Sequence, residues 1–335
     1  MAEVVLRGLS KAFGATQATR DVSLTVPDGS FVVLLGPSGA GKTTLLRLIS
    51  GLEKPDVGQI TIGGADVANL TPAERNVAMV FQQYSLYPHL TVRQNLEFPL
   101  KSPVLRTPQP EIDAKVAQVA EVLRIGHKLN NKATQLSGGE MQRVSIGRAL
   151  VRNPSIYLMD EPLSSLDAKL RSDLRVELKR IQADLGATIL YVTHDQIEAM
   201  TLATHVGVLD QGRLVQFGTP REIYEAPATL AVAARLGQPK INTLPAAVFP
   251  GAPEGAATIG LRPEHIQLGE GQEALVTRVE RLGDQTRLHL RYQGHDLITV
   301  ADPHSLLDVG DRIALRPVDP LYFDPQGTRL SRGKV

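Results

Sequence analysis

The sequence predicts an α/β domain with a largely parallel sheet, followed by a smaller all-β domain. Short apolar runs of strand length recur through the first part of the chain, and helical patterns separate several of them. From about Ile241 onward, short β-type runs alternate with Gly, Pro and Asp turns, which is typical of a small barrel or sandwich. A length of 335 residues also favours two domains over one core. We expect domains at 1–235 and 236–335.

Apolar runs of strand length identify the candidate strands of the first domain. They are Val4–Leu6, Phe31–Leu35, Val77–Phe81, Ile156–Met159, Thr188–Val192 and Val206–Leu209. Helix spacing joins two further sets of apolar residues, one over 112–123 and one over 170–185. Strands separated by helices in this way predict parallel pairing. Between the two halves of this pattern the strand signals fade, and we predict a helical subdomain over about 84–154.

Composition excludes several classes of partner and site. The 36 basic and 35 acidic side chains leave a net charge of +1, so nothing in the charge favours nucleic acid as a partner. Cysteine is absent, which rules out disulfides and thiolate metal sites. No window approaches the roughly 18–20 apolar residues of a membrane helix, and the N-terminus lacks a signal-peptide pattern. Any work at a membrane must therefore pass through another chain.

The segment "GPSGAGKT" follows the run Phe31–Leu35 and opens a helical pattern. It matches G-x-x-x-x-G-K-[ST] in the strand–loop–helix setting in which backbone N–H groups hold phosphates. Lysine supplies a charge to the terminal phosphates, and the following hydroxyl is placed for Mg²⁺. The alternative is a glycine-rich turn with an exposed lysine. The predicted nucleotide-binding residues of this loop are Gly36, Ser38, Gly39, Ala40, Gly41, Lys42, Thr43 and Thr44.

Two adjacent acids, Asp160 and Glu161, end the apolar run of "SIYLMDEP". A phosphate-bound Mg²⁺ needs hard oxygen ligands, so we predict a metal site made by Thr43 and Asp160. Glu161 is predicted to orient and deprotonate the attacking water. The alternative is an acidic turn that caps a strand. The functional interpretation of Asp160 and Glu161 therefore depends on the presence of the phosphate loop.

His194 and Gln82 each follow an apolar run of the predicted sheet. Ligand sites of parallel sheets gather at the carboxyl ends of the strands, where Asp160 and the phosphate loop are also expected. We therefore predict that His194 donates to the γ-phosphate, and that Gln82 lies in the same site. Taken alone, a histidine at a strand end is more often a surface residue or a hydrogen-bonded structural one.

A second glycine-bearing loop, "LSGGE", opens another predicted helix. Ser137 and Glu140 have the spacing of a helix-capping box, which is an adequate structural explanation by itself. Gly138 and Gly139, however, leave bare backbone at a helix start, which is a possible second anion site. Such a site is useful when it meets the other face of a nucleotide or a different nucleotide.

In this order, "GPSGAGKTT", "LSGGEMQR", "YLMDEPLSSLD" and "THD" resemble the ATPase subunit of ABC transporters. The resemblance implies a P-loop NTPase fold of the ABC type with ATP and Mg²⁺ as ligands. It also implies a head-to-tail homodimer, with each ATP between the first loop of one copy and the "LSGG" segment of the other. Ser137, Gly138 and Gly139 would then serve the nucleotide of the partner copy.

The same resemblance assigns roles to single residues. Phe13 of "KAFG" matches the aromatic residue that stacks on adenine; the alternative is a core phenylalanine. Gln82 matches the glutamine that senses the γ-phosphate and Mg²⁺, so the resemblance adds it to the metal site. Glu161 matches the catalytic carboxylate, and His194 matches the switch histidine. The segment Ser165–Asp167 matches the one that crosses the dimer interface.

A closer resemblance, to the subunits that power carbohydrate importers of the maltose and glycerol-3-phosphate type, rests on "VFQQYSLYPHLTVRQNLEFPL", "LDAKLR" and "GTPREIYEAP". "LRPEHI" and "VGDRIALRP" resemble their oligonucleotide-fold-like (OB-like) regulatory domain. The implied partners are two transmembrane permease subunits and an extracytoplasmic solute-binding protein, with no nucleic acid. The implied location is peripheral, on the cytoplasmic face of a bacterial inner membrane. The permease is expected to dock near Gln82, Tyr84 and Tyr87, unless these tyrosines only pack the helical subdomain.

Glu140 stands where the family more often has glutamine, and an acid near a γ-phosphate is unfavourable unless it turns back to cap its own helix.

Other functions remain as alternatives. They are an importer ATPase for polyamine, ferric ion or another non-sugar solute, and a soluble ABC-type ATPase that acts on DNA or ribosomes. A generic P-loop kinase or GTPase leaves the "LSGGE" segment unexplained.

Overall fold

The structure, a computed structural model, describes residues 1–103, 105 and 107–330. The chain divides after Pro220 into two compact units. The first unit is α/β and the second is all-β apart from short helices, as the sequence predicts. The division falls before the expected boundary at 235/236, so the short helices over 220–235 belong with the second unit. The last five residues of the predicted second domain, 331–335, lie outside the described residues.

The first unit alternates strands and helices. Its strands are β1 (Val4–Phe13), β2 (Thr16–Val26), β3 (Phe31–Leu35), β4 (Val57–Ile62), β5 (Ala65–Asp66), β6 (Val77–Val80), β7 (Ile156–Asp160), β8 (Ile189–Thr193), β9 (His205–Asp210) and β10 (Arg213–Gly218). Its helices are α1 (Lys42–Ser50), α2 (Val92–Glu97), α3 (Gln109–Val122), α4 (Gly138–Leu150), α5 (Ala168–Leu185) and α6 (Gln196–Leu202).

The central sheet has the strand order β10-β9-β3-β8-β7-β6. All its pairs are parallel except β9 with β10. Every residue of β3, β7 and β8 is buried, which explains why these strands read as continuous apolar runs. Because the strands are parallel, β3, β6, β7 and β8 all deliver their following residues to one edge of the sheet.

A separate antiparallel sheet, ordered β2-β1-β4-β5, shares its hydrophobic core with the central sheet and α1. The sequence prediction found only the start of β1 in this sheet. Strand β2 alternates buried apolar and exposed polar residues toward its end, and β4 begins with exposed residues. One-sided burial of this kind produces no continuous apolar run.

Helices α2, α3 and α4 fill the chain between β6 and β7. Thr91 and Ser137 begin α2 and α4 with capping boxes, in which the serine or threonine oxygen accepts from a backbone N–H and the Gln94 or Glu140 side chain accepts in return. Helix α3 buries Ile112, which belongs to the apolar face that the spacing predicts.

The second unit is built on antiparallel strands. Its elements are α7 (Pro220–Glu225), α8 (Leu230–Arg235), β11 (Asn242–Pro245), β12 (Thr258–Leu261), β13 (Ile266–Arg281), β14 (Thr286–Tyr292), β15 (His295–Ala301), β16 (Arg312–Pro317) and β17 (Leu321–Phe323). The strands form two sheets, ordered β11-β12-β17 and β15-β14-β13-β16. Phe249 and Tyr292 stack within its core with ring centroids 4.9 Å apart.

Within the ranges that the structure describes, no helix combines the length and the apolarity that a membrane crossing requires.

Candidate functional site

The loop between β3 and α1 holds glycine at its two most crowded positions. Gly41 precedes α1 with φ 96°, a left-handed conformation that glycine adopts without strain. A Cβ at Gly41 would lie 2.3 Å from the Ala18 carbonyl oxygen, and one at Gly36 would lie 2.4 Å from that of Leu209. At these two positions the backbone therefore packs too closely against neighbouring carbonyls to admit a side chain.

Lys42 begins α1 and turns its side chain back into the loop. Its Nζ donates to the Gly36 carbonyl at 2.9 Å and to the Pro37 carbonyl at 3.0 Å. The same Nζ lies 3.7 Å from Glu161 Oε1, and the lysine side chain is 5% exposed. The ammonium group thus lies between the loop predicted to hold phosphates and Glu161, the carboxylate predicted to activate water.

Thr43 and Asp160 form a pair of hard oxygen donors next to this lysine. The Thr43 hydroxyl donates to Asp160 Oδ1 at 2.9 Å. Asp160 ends β7 and is 8% exposed, and burial raises the pKa of its carboxyl, although the Thr43 hydrogen bond opposes the shift. A hydroxyl and a carboxylate at the mouth of a phosphate loop are the donor set that a nucleotide-bound Mg²⁺ takes, so the residues present fit that ion.

Glu161 is held in an unusual backbone conformation between Lys42 and His194. Its φ is 44°, in the left-handed region, while its N–H donates to the Val192 carbonyl at 3.0 Å. Its Oε2 lies 3.0 Å from His194 Nδ1, and the glutamate side chain is 16% exposed. The structure therefore joins the predicted base, the predicted switch histidine and the loop lysine in one chain of contacts.

Gln82 is connected to the Lys42–Glu161–His194 contacts through Ser164, a residue that the sequence analysis missed. Gln82 is exposed just after β6, and its Nε2 lies 3.5 Å from Ser164 Oγ. The Ser164 hydroxyl in turn donates to the Glu161 carbonyl at 2.9 Å. The sequence offers only one signal for Ser164, its place three residues after Glu161, within hydroxyl-to-carbonyl reach across a turn.

A buried glutamate supports the strand that delivers His194, and the sequence analysis missed it too. Glu198 is 2% exposed, and its Oε2 accepts from the Tyr191 hydroxyl at 2.9 Å and from the Thr193 hydroxyl at 2.7 Å. Burial raises the pKa of this carboxyl, and these two hydrogen bonds oppose the shift. Glu198 lies on the buried face of α6, a helix that the sequence analysis did not predict.

Ser137 lies exposed at the start of α4 and its contacts are with Glu140. The Glu140 carboxylate accepts from the Ser137 N–H and hydroxyl, while Lys128 lies 3.1 Å from its other oxygen. Gly138 is half-buried near Tyr84 and Gly139 is buried.

The small size of Gly139 has a structural reason as well as a possible functional one. A Cβ at Gly139 would lie 2.1 Å from Leu170 Cδ2 on α5. Asp167 begins α5 and accepts from the Leu170 N–H at 3.0 Å, so its carboxylate caps the helix in this chain. The Tyr84 hydroxyl lies 3.1 Å from Ser165 Oγ and close to Gly138, so Tyr84 lies between the second loop and the segment predicted to cross the dimer interface.

Phe13 lies at the end of β1 and is 45% exposed, so it does not belong to the core. Lys11 Nζ lies 5.4 Å from the centroid of its ring. Asp56 fixes this end of the strand, because its carboxylate accepts from Lys11 Nζ at 3.0 Å and from the Ala12 N–H at 2.7 Å. An exposed aromatic ring on an anchored strand end fits the stacking role that the resemblance assigns.

Comparisons with known proteins identify the families that the chain resembles. Residues 19–164 match the family described as ABC transporter, and residues 259–320 match the TOBE domain. The sn-glycerol-3-phosphate import ATP-binding protein of Rhizobium johnstonii is 47% identical, with 94% of each chain covered. Its counterpart in Ruegeria pomeroyi is 44% identical over 99% of this chain and 100% of its own.

Solved structures match the first unit's fold as well. A nucleotide-free ATP-binding cassette from an ABC transporter superposes with a TM-score of 0.59 at 29% identity, covering 65% of this chain and 92% of its own. A dimeric bacterial ABC transporter cassette superposes with a TM-score of 0.58 at 31% identity, covering 65% of this chain and 99% of its own.

Proposed function

Because the chain belongs to the ABC transporter family of ATP-binding proteins, we propose that it hydrolyses ATP to drive the import of sn-glycerol-3-phosphate or another sugar-derived solute. One observation carries the enzymatic part of the proposal. The chain of contacts from Lys42 through Glu161 to His194 stands beside the Thr43–Asp160 pair, at the carboxyl edge of the parallel sheet. The solute class rests on the relatives, which are named for sn-glycerol-3-phosphate import.

The residues of the site divide the work of phosphoryl transfer to water. The glycine loop and Lys42 hold the phosphate chain, and Phe13 stacks on the adenine. Thr43, Asp160 and Gln82 would hold Mg²⁺, which supplies charge neutralisation when it is bound. These residues position the nucleotide, and Glu161 carries out the proton transfer.

Glu161 is the general base of this proposal. Its carboxylate orients a water and takes its proton as the water oxygen bonds to the γ-phosphorus and the bond to the β–γ bridging oxygen breaks. The His194 ring, whose Nδ1 lies 3.0 Å from Glu161 Oε2, donates to the γ-phosphate. Lys42 stabilises the negative charge that collects on the phosphate oxygens.

We propose that two copies of the chain complete each other's sites. Ser137 is exposed at the start of a 13-residue helix, where backbone N–H groups attract an anion. In a head-to-tail dimer this helix start faces the γ-phosphate held by the partner's Lys42 loop, with the Ser165–Asp167 segment at the interface. A dimeric cassette among the similar structures supports the dimer, and the head-to-tail arrangement rests on the resemblance.

The membrane partners would dock on a groove of the first unit. The groove has a volume of about 150 Å³, and its lining includes Phe81, Pro99 and Arg148. Tyr87 packs within the helical segment, with its ring 4.4 Å from that of Phe98 and the Arg148 guanidinium 4.8 Å above it. Tyr84 is half-buried and lines the groove, and the exposed aromatic residues nearby are Phe81 and Phe98, which are 40% and 49% exposed.

The rest of the proposed assembly rests on the resemblance and on relatives that are named for import. We propose two permease subunits, an extracytoplasmic solute-binding protein and a peripheral position on the cytoplasmic face of the membrane. The TOBE-like second unit would regulate transport. Placing a charge at Phe81 or Phe98, as in Phe81→Glu, should uncouple ATP hydrolysis from transport without lowering ATP affinity.

A mixed dimer tests the shared site. Combine a Lys42→Ala chain with a Ser137→Asp chain, both carrying Glu161→Gln to trap nucleotide. Aspartate keeps the cap of α4 but brings a carboxylate to the γ-phosphate. If the loops of different chains form one site, both lesions fall in one site and the dimer occludes one nucleotide. If each chain serves its own nucleotide, both sites are damaged and the dimer occludes none.

The solute requires a separate test. Thermal shift of the solute-binding protein of the same complex should show stabilisation by glycerol phosphates, glycerophosphodiesters or sugars. Stabilisation by polyamines or ferric ion alone would favour a non-sugar importer instead.

The mixed-dimer experiment also needs a control for folding. The thermal unfolding midpoints of the Lys42→Ala and Ser137→Asp homodimers provide it.

A further inference from the structure

Glu140 and Lys128 surround the serine that is proposed to meet the partner's nucleotide. Glu140 Oε2 accepts from the Ser137 N–H at 2.8 Å and lies 3.0 Å from the Ser137 hydroxyl. Lys128, at the end of the 3-10 turn Gly126–Lys128, places Nζ 3.1 Å from Glu140 Oε1. Each oxygen of one carboxylate is thus engaged, one by the loop and one by a cation from another element.

The contact with Glu140 occupies the only proton that the Ser137 hydroxyl can donate. A serine hydroxyl has one donor and two acceptor sites, and the Glu140 N–H already approaches an acceptor site at 3.4 Å. A hydroxyl that donates to Glu140 is not able to donate to a phosphate oxygen at the same time. An ionised carboxylate is also a stronger acceptor than an amide carbonyl. Phosphate must therefore compete with an acceptor inside the loop.

Lys128 sets the strength of this competition. The backbone hydrogen bond from Ser137 is the main cause that lowers the pKa of the Glu140 carboxyl, and Lys128 contributes further, so the carboxylate is ionised near neutral pH. Its charge lies at a helix start, the place that would attract an anionic phosphate. The lysine, 28% exposed against 25% for the glutamate, offsets that charge locally.

We propose that Glu140 is a positioning residue that reserves the Ser137 hydroxyl until ATP displaces it, and that Lys128 limits the cost of this reservation. The inference rests on the proposed function, because it assumes that Ser137 meets a nucleotide. ATP affinity in the assembled dimer then depends on a pair of side chains that do not touch the nucleotide. The rate of the chemical step does not depend on them, because Ser137 is released once ATP is bound.

The test compares the full-length chain with Glu140→Gln, Lys128→Met and the double variant. Glu140→Gln keeps the capping contact to the Ser137 N–H but removes the charge. It should lower the KM for ATP about fivefold, since hydrogen bonds to ionised acceptors are roughly twice as strong as neutral ones. Lys128→Met should raise the KM about threefold, as expected for loss of a partly exposed ion pair. Neither change should alter kcat by more than about twofold.

The double variant separates this mechanism from general electrostatics. If Lys128 acts through Glu140, Lys128→Met should have little effect on KM once Glu140→Gln is present. A matched pair on α3, Lys115 with Glu111 at 2.8 Å, provides the control changes Lys115→Met and Glu111→Gln. Equal effects from this distant pair, additive effects of the two main changes, or an unchanged KM in Glu140→Gln would each overturn the inference.

Ser137→Ala distinguishes failure of this inference from failure of the proposed function. If Ser137→Ala weakens ATP binding while Glu140→Gln changes nothing, the shared site stands and the role of Glu140 falls. If Ser137→Ala leaves ATP binding and hydrolysis unchanged, the shared site fails and the inference falls with it.

Discussion

Replacing Glu161 by glutamine should stop turnover while ATP binding persists. The substitution changes one oxygen to an amide group and removes one negative charge. In the structure that carboxylate lies 3.7 Å from Lys42 Nζ and 3.0 Å from His194 Nδ1. The glycine loop, Thr43 and Asp160 are left as they are. Glu161→Gln therefore isolates the loss of the base from the loss of the phosphate cradle.

The expected size of the effect follows from the two roles of the carboxylate. General-base catalysis contributes about 10²–10⁴-fold to a rate, which corresponds to about 3–5 kcal/mol in the barrier. Two charges 3.7 Å apart attract by about 4–5 kcal/mol before desolvation is counted, at an effective dielectric constant of about 20. Loss of this attraction leaves Lys42 available to the phosphates, so ATP affinity should be equal or higher.

Single-turnover hydrolysis and nucleotide binding measure the two effects separately. Radiolabelled ATP with excess full-length Glu161→Gln protein should show hydrolysis slowed at least about a hundredfold. Equilibrium binding of ATP should show a Kd no weaker than that of the unchanged chain. A rate within about threefold of the unchanged chain would refute the assignment of Glu161. Equal losses of rate and of affinity would show that the residue supports the loop instead.

Three further predictions concern the loop and the buried network. Lys42→Ala should weaken ATP binding about tenfold to a hundredfold in equilibrium titration, because charge-assisted hydrogen bonds to phosphate are lost; an unchanged Kd would contradict this. Gly36→Ala should destabilise the chain by about 1–3 kcal/mol in chemical denaturation, since its Cβ would meet the Leu209 carbonyl oxygen at 2.4 Å; unchanged stability would show that the loop relaxes freely. Burial raises the pKa of Glu198 above its ordinary 4.5, so the folded chain holds its proton longer and loses stability as the pH rises from 4.5 through the folded-state pKa. Glu198→Gln lacks this loss, so its stability relative to the unchanged chain should improve between pH 4.5 and pH 8, and parallel pH profiles would count against the network.

The central sheet could be predicted from the sequence because its strands are buried on both faces. Strand β3 has the predicted bounds, Phe31–Leu35, and β7 runs only one residue beyond the predicted Ile156–Met159. The antiparallel sheet escaped prediction because one face of β2 is solvated, which breaks its apolar run with polar residues. Continuous burial leaves a pattern in sequence, and one-sided burial combined with bulges leaves a weaker one.

Some residues of the site could be predicted from the sequence and others could not. Lys42, Thr43 and Asp160 could be predicted because a short motif fixes the loop and parallel strands share an edge. Ser164, Glu198 and Lys128 were missed, because their roles depend on side-chain contacts that sequence spacing alone does not establish. Lys128 lies 12 residues before its partner Glu140 in the sequence. The two side chains come into contact because the 3-10 turn Gly126–Lys128 packs beside the start of α4.

The left-handed backbone of Glu161 creates a conflict at one position, because the residue that catalysis needs is not the residue that best fits the backbone. A non-glycine residue at φ 44° carries strain of about 1 kcal/mol or more, and asparagine or glycine fits this region better than glutamate. A redesign that ranked substitutions by backbone fit would therefore replace the base and yield a more heat-resistant but inactive subunit. Directed evolution under thermal selection alone would be drawn the same way. Any programme to stabilise this subunit should hold Glu161 fixed.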